Sequence, residues 1–543
     1  MTKEQTTNLR SRGIALFILI MFNLSLAQSQ RWLYQYDGPA QNYDCATAIV
    51  YGLDGNIYVA GYGIGNNANY DIVVICLTTM GNQQWVYTYN GPGNGDDYAY
   101  SLVYGADHNL YLCGKCTSTN NNFDFTVISL TNNGTQRWVY HYNGAANSND
   151  NASSIVYGTD NNLYVAGSSR ESNSYSDILL ISLTTTGIQR WIYTYDGSIH
   201  RDDFANALVY GLDGNLYLAG ASTATNYYLD FMVISITNNG TQRWVQQFDG
   251  YAYNIDIAYA IVYSQDHLIY AAGKSYNTAS NSSFMVICYT PNGQFRWLTG
   301  FGGAGGHYNY ATAIVYGPDH YLYSTGTITN TGNQVDLYLM SLDSVGYIRW
   351  MHSYNGSANA TDEGKAICYG LDNYLYVAGY SIGTNTNKDW IIISLTPNGT
   401  RRWVYRYDGL VNYSDEAYAI VYGQDNNLYI AGYTYNSLTN ANLLVISLDP
   451  RLSIQEPLNT EKKQDEKIQL KPNPTKNLLT LSSPVNIDEI ILYNTNGQIV
   501  KAIHLSKHNP NHKLTIPLNS IPNGIYFIKI NDHMLNDRLI KIK

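Results

Sequence analysis

From Gln30 to Pro450 the chain is a succession of short apolar runs broken by polar turn residues. No stretch there keeps a 3.6-residue apolar spacing over the ten or more positions that a helix needs. The unit before Trp191 is typical. Its runs are SSIVYG, NLYVAG, DILLISL and QRWIYTYDG, separated by turn signals such as GTDN and TTTG. Runs rich in β-branched and aromatic residues between Gly, Asn and Asp clusters predict strands.

The same four runs recur. Trp32, Trp85, Trp138, Trp191, Trp244, Trp297, Trp350 and Trp403 are each 53 residues apart, which defines eight units. Links between runs one and two, and between three and four, are short and regular. The other two links are long and variable. Four antiparallel strands per period is the pattern of a propeller blade. We label the strands A to D from the innermost outwards. The first unit opens on a D strand, Gln30 to Gly38, and the triplet ending VISLDP at Pro450 has no Trp-bearing strand after it. The N-terminal strand is therefore expected to complete the last blade, which removes an open sheet edge. The predicted fold is all-β: an eight-bladed β-propeller over 28–450, a charged linker over 451–467, and a small β-sandwich over 468–543.

The segments DDFANALVYGLDGNLYLAG (from Asp202) and DDYAYSLVYGADHNLYLCG (from Asp96) resemble the short β-propeller repeat family of secreted bacterial proteins. The QRW strand after a Gly turn also resembles quinoprotein-type propellers, many of which have eight blades. The first family is commonly seven-bladed, and the count of eight made here departs from it. The resemblance implies an architecture and is nearly silent on activity.

After Pro450 the Tyr-rich repeat stops, and EPLNTEKKQDEK (Glu456 to Lys467) reads as a linker. Beyond it lie KPNPT (with Lys471, Pro472, Asn473 and Pro474), LYNTNGQIV (with Gly497) and IPNGIYFIKI (with Gly524), and the chain ends on KIK. In this order they resemble the type A C-terminal sorting domain of the type IX secretion system of Bacteroidetes-like bacteria. That resemblance implies a partnership with the secretion machinery, passage across the outer membrane, and removal of the domain or its exchange for a surface anchor. Residues 1–27 place Lys3, Arg10 and Arg12 before an apolar run from Gly13 to Leu26, the pattern of a secretory signal peptide. The run is too short to span a bilayer, so no transmembrane span is expected in the mature chain. The expected location is extracellular or on the outer-membrane surface.

Composition fits this picture: 53 Tyr and 46 Gly accompany only 13% charged residues. The whole chain carries −10, and the propeller segment alone is more acidic than that, at −17, because the N-terminal 27 residues carry +2 and residues 451–543 carry +5. An acidic body disfavours nucleic acid and leaves divalent cations or neutral glycans as easier partners. The six cysteines follow no framework spacing, and one isolated CxxC, Cys113 and Cys116, does not make a metal site.

The eight copies serve as an internal alignment, in which residues present in every copy belong to the fold and copy-specific residues are functional candidates. The Trp set is expected to bury about 150–250 Å² each between blades. The Tyr set from Tyr58 to Tyr429 packs, and Asp54 and its equivalents bond turn amides. Acidic residues before strand A (Asp44, Asp97, Asp150, Asp203, Asp256, Asp362 and Asp415, with Asn309 in the eighth copy) have two readings: carboxylates capping backbone amides, or a rim for calcium. The set before strand C, including Asp71 and Asp124, is read the same way. The most distinctive copy-specific cluster is Arg170 and Glu171 in one long loop and His200, Arg201 and Asp202 in the next, expected to share one face between blades three and four. His307 is a further loop histidine. No GxSxG, HExxH or P-loop occurs. The expected function is ligand binding or adhesion, to a glycan or an envelope protein, without a cofactor other than calcium. The alternatives are a polysaccharide lyase, for which His200, Arg201 and Tyr228 are the loose match, a quinone-dependent dehydrogenase, or a protein-interaction scaffold.

Overall fold

The structure, a computed structural model, describes residues 30–451 apart from 172–174, 251, 253, 279, 304, 306–307, 333 and 384–386. In the C-terminal segment it describes 469–471, 476, 478–482, 489–494, 499–504, 513–530, 533–534 and 539–541. The signal segment, the linker from 452, His307, Pro472, Asn473, Pro474 and Gly497 lie outside the described residues.

The protein is an all-β propeller. Eight four-stranded antiparallel sheets follow one another along the chain, and each packs against the next. Numbered in chain order, sheet 3 comprises Asn151–Tyr157, Asn162–Ser169, Asp177–Thr184 and Gln189–Tyr195 as its strands A to D. Sheet 8 takes strands A to C from Glu416–Tyr422, Leu428–Tyr435 and Ala441–Leu448, and strand D from Gln30–Tyr36 at the other end of the sequence. It packs against sheet 1, so the array is closed.

The periodic residues explain the geometry. Strand B and C side chains are almost wholly buried, and the eight Tyr from Tyr58 to Tyr429 are fully enclosed. Each C–D turn carries a glycine in the left-handed region, Gly187 at φ +84 for example, against which the Trp138 ring of the preceding sheet lies; a Cβ there would sit 2.7 Å from Cδ2. The Trp138 indole N–H donates to Thr185 O at 3.0 Å, and the same bond recurs around the array. These indoles are partly buried rather than enclosed between sheets, Trp403 excepted. A register shift in strand A frees one polar side chain to reach the next sheet: Ser153 Oγ donates to Ala205 O at 2.6 Å, and Thr47 Oγ1 to Ala99 O at 2.8 Å.

On the outer rim, the Tyr two residues after the Trp clasps a Gln on the next sheet. Tyr34–Gln83, Tyr87–Gln136, Tyr140–Gln189, Tyr193–Gln242 and Tyr405–Gln30 make these bonds at 2.5–2.7 Å. Sheets 4, 5 and 6 replace the Tyr with Gln246, Thr299 and His352, and the facing Gln with Phe295, Ile348 and Arg401. The C-terminal segment packs within this interval: Ile491 and Tyr493 join the apolar cluster of sheets 5 and 6, with Tyr493 and Phe301 rings 6.1 Å apart. That segment forms a three-stranded and a five-stranded sheet around Leu479, Ile490, Leu492, Ile516 and Ile528.

Candidate functional site

The acidic residues before strand A are structural anchors. Asp203 accepts the Gly197 amide at 2.6 Å and the Thr223 amide at 3.0 Å, thereby joining three strand ends of two sheets. Asp97 accepts Gly91 and Thr117 in the same way, and Asp44 accepts Gly38 at 2.7 Å. Burial pushes Asp44 up to about 7 and Asp97 up to about 6, against the lowering effect of those amides. Asp71 and Asp124, at the strand C position, each keep a buried Oδ1 without a hydrogen-bond partner among the described residues. Burial raises both carboxyls, Asp124 to about 6.

Where sheets 3 and 4 meet on the long-loop side, a cleft of about 370 Å³ opens. Its lining is polar, with Asn151, Ser153, Ser168, Ser176, Asp202 and Asn206 beside Phe204. Asp202 is held by the Ser176 amide, which donates to its Oδ1 at 3.0 Å. At the same boundary the Arg201 guanidinium lies between two tyrosine rings, 4.9 Å from the Tyr175 centroid and 5.0 Å from that of Tyr227. Tyr227 is itself 68% exposed and held at φ 68, so the aromatic surface faces solvent.

His200 occupies a left-handed position at φ 54 and bonds Asp196 Oδ2 through Nδ1 at 2.6 Å. That bond raises the imidazole above its ordinary value. Sheets 1, 2 and 6 close the equivalent turn with Asn90–Asn94, Asn143–Asn147 and Asn355–Asn359 pairs, so Asp196–His200 is a charged version of a standard loop clasp.

Glu171 points back toward sheet 2, where it accepts from the Tyr142 hydroxyl and from the Ala145 amide at 3.2 Å, and it also accepts from the Ser169 hydroxyl of its own sheet. The Arg170 amide donates to Asp150 at 3.0 Å. No hydrogen bond or ion pair among the described residues joins this pair to His200, Arg201 or Asp202. Glu171 does lie close enough to add to the forces raising Asp177 to about 6, of which burial is the largest. Tyr228, 43% exposed, donates its backbone amide to Asn226 Oδ1.

Sequence reading missed Asp196, Tyr175 and Tyr227. Asp196 sits within the recurring D/N-G turn and looks generic there; the alternation of Asp and Asn at that position among the copies was the available signal. It brings Asp196 together with Asp177 and Asp203, their carboxylate oxygens within 4.8 Å of one another. Asp230, Asp249 and Asp256 form the same group in sheet 4, and Asp389, Asp408 and Asp415 form it in sheet 7. Of the acidic residues given a calcium reading from sequence, Asp203, Asp256 and Asp415 before strand A and Asp177, Asp230 and Asp389 before strand C enter such groups, whereas Asp44, Asp97, Asp71 and Asp124 enter none among the described residues.

With this architecture in view, comparison places the chain in a class. Residues 469–541 match the secretion system C-terminal sorting domain, and residues 53–83 match a beta-propeller domain of unknown function (DUF5122). The protein is an exported β-propeller with a type IX sorting tail, secreted or held at the cell surface. No curated protein matches the chain. Similar solved structures include a protein of unknown function from Dyadobacter fermentans, 11% identical with a TM-score of 0.33, covering 56% of this chain and 96% of that one. A eukaryotic initiation factor is 9% identical at 0.35, covering 74% and 88%. An alpha-L-arabinofuranosidase from Fusarium graminearum is 10% identical at 0.33, covering 55% and 93%. At these scores the likeness carries nothing about activity. Among the described residues no helix is long and apolar enough to cross a membrane.

Proposed function

We propose that the chain is a surface binding protein: an eight-bladed propeller over 28–450, led by a signal peptide over 1–27 and delivered by a C-terminal sandwich over 468–543. Its long-loop face at blades three and four takes a hydroxyl-rich ligand of the glycan class. The observation carrying this reading is the polar cleft of about 370 Å³ between sheets 3 and 4. Its amide, hydroxyl and carboxylate groups match the donors and acceptors of sugar hydroxyls. Phe204 in the lining and the Tyr175–Arg201–Tyr227 stack at the same boundary supply flat surfaces for pyranose faces, at low entropic cost because each ring has only two side-chain torsions.

The test is thermal unfolding of the exported chain against a panel of polysaccharides, with Arg201→Ala and Asn206→Ala as variants. A ligand at about 100 times its Kd stabilises by about 2.7 kcal/mol. A polysaccharide-specific rise that both variants reduce supports the reading; a flat panel refutes glycan recognition and favours a scaffold for an envelope protein.

A further inference from the structure

We infer that the carboxylate triads Asp177–Asp196–Asp203 and Asp230–Asp249–Asp256 each bind one calcium ion on the long-loop face. In each triad the three carboxylate oxygens lie within 4.8 Å of one another. Calcium binds oxygen at 2.3–2.6 Å, so opposite ligands around it stand about 4.6–5.2 Å apart, and the triads fall inside that span. Two members of each triad are buried and the third, Asp196 or Asp249, is exposed, which leaves a mouth through which water completes the shell.

Acidic clustering alone does not make a site, and two further observations point to a cation. The first is an orphaned acceptor. Asp177 is 5% exposed and Asp230 4%, yet Oδ1 of each is buried without a hydrogen-bond partner among the described residues. The same orphan occurs at Asp71 and Asp124, where Asn90 and Asn143 stand in place of the third carboxylate; a buried carboxylate oxygen without a donor is costly, and where three carboxylates converge a metal ion supplies what no donor does. Asp203 and Asp256 already accept two backbone amides each and have no donor to share.

The second observation is the copy in sheet 7. Asp389, Asp408 and Asp415 repeat the triad, but there the chain provides its own cation. Arg406, three residues after Trp403, places its guanidinium against Asp389, with Nη2 2.6 Å and Nε 2.8 Å from Oδ2. The same strand position holds Thr194 in sheet 3 and Gln247 in sheet 4, neither of which carries charge. Among the described residues no ion pair is made by Asp230, Asp249 or Asp256; in the sheet 3 triad the sole one is His200 on the exposed Asp196. Sheets 1, 2 and 6 relieve the repulsion differently, by Asn90, Asn143 and Asn355 at the exposed corner, and sheet 5 has Ser283, Gly302 and Asn309 at the three positions. Sheet 8 has Asn442 beside Asp37 and Asp44, so every copy loses a carboxylate to substitution or gains an arginine, except the two assigned to calcium. These two flank the cleft: Ser176, Asp202 and Leu229 of its lining are the chain neighbours of Asp177, Asp203 and Asp230. The assignment stands apart from the glycan reading, because it concerns the ion alone.

The test is calorimetric titration of the chelator-stripped, exported full-length chain with calcium, cross-checked by terbium luminescence sensitised by the neighbouring tyrosines. Two ions per chain are expected. Asp196→Asn and Asp249→Asn should each lose one ion, and both should keep their fold because sheets 1, 2 and 6 already carry Asn there; an unchanged melting temperature in chelator verifies this. Arg406→Thr, which installs the sheet 3 residue, should gain a third ion. A chain that binds no calcium, or aspartate variants that both retain two ions, overturns the assignment.

Discussion

Closure of the array by the N-terminal strand can be tested through one side chain. In sheet 3, Arg190 Nη1 donates to Ser182 Oγ at 2.9 Å and to Tyr164 OH at 3.1 Å, and lies 4.0 Å from Asp160. In sheet 8, Arg31 does the same from the far end of the sequence: Ser447 Oγ at 2.9 Å, Tyr429 OH at 3.3 Å, and Asp425 at 3.9 Å. Hydrogen bonds from a charged donor contribute about 1.5–3 kcal/mol, and the side chain's 24% exposure puts Arg31→Ala at the lower end, near 1.5–2 kcal/mol. Arg190→Ala, at 28% exposure, should cost the same within about 0.5 kcal/mol. Arg451→Ala is the control. Its pair with Asp449 is 68% exposed on the arginine, so its loss should leave the melting temperature close to that of the wild type. The assay is thermal unfolding of the full chain, the three variants run together at one pH and salt concentration. Were Arg31→Ala to melt with Arg451→Ala and the wild type while Arg190→Ala fell, the first strand would not be an integral member of sheet 8, and closure by the chain ends would be wrong.

Three further outcomes are expected. Asp44 is raised to about 7 by burial. Its folded value thus exceeds its unfolded one, and the stability it contributes is complete below about pH 3.8 and lost as pH rises through about 7, on the order of a few kcal/mol. Asp44→Asn has a natural precedent in Asn309 before strand A of sheet 6, which accepts the Thr329 amide at 2.8 Å; the substitution should therefore flatten the fall in melting temperature between pH 5 and 8, and parallel curves would contradict this. Burial pushes the thiols of Cys45, Cys76 and Cys288 up to about 12 and raises Cys113, Cys116 and Cys368 as well, so a thiol reagent at pH 8 should label the native chain slowly and six groups after denaturation. Gly187→Ala should cost about 2–4 kcal/mol, since its Cβ would strike Trp138, whereas Gly214→Ala, with its nearest atom 3.7 Å away, should cost only the about 1–2 kcal/mol of a left-handed backbone; equal losses would refute the packing role given to the indole.

Much of the architecture was legible because each copy repeats one set of local rules. The Trp spacing and the phase of the first strand located every sheet and the pairing of Gln30–Tyr36 with Ala441–Leu448. The Arg–Tyr–Asp relay of Arg190, Tyr164 and Asp160 was not read as a unit, since Tyr and Asp each had a sufficient local explanation four residues apart and the Arg joins them only across the sheet. In the candidate site, copy-specific charge drew attention to His200, Arg201 and Asp202. The anchoring of Glu171 on sheet 2 could not be foreseen, because it depends on which way a long loop turns. The departures Thr299, Ile348 and His352 are visible in an internal alignment, yet their sense emerges only once Ile491 and Tyr493 are seen to pack on sheets 5 and 6.

The order of strands in sheet 8 also has a mechanical meaning for a protein carried by its C-terminal segment. Tension applied through that segment reaches Ala441–Leu448 first, and this strand is flanked on both sides, by Leu428–Tyr435 and by Gln30–Tyr36. Extracting it means shearing two hydrogen-bonded ladders together, whereas the N-terminal strand at the rim is held by one. Gln30–Tyr36 thus acts as a clamp on the last strand of the propeller: a load borne from the C-terminal side meets the more resistant of its two ends, and a load borne from the N-terminal side would unzip the weaker one.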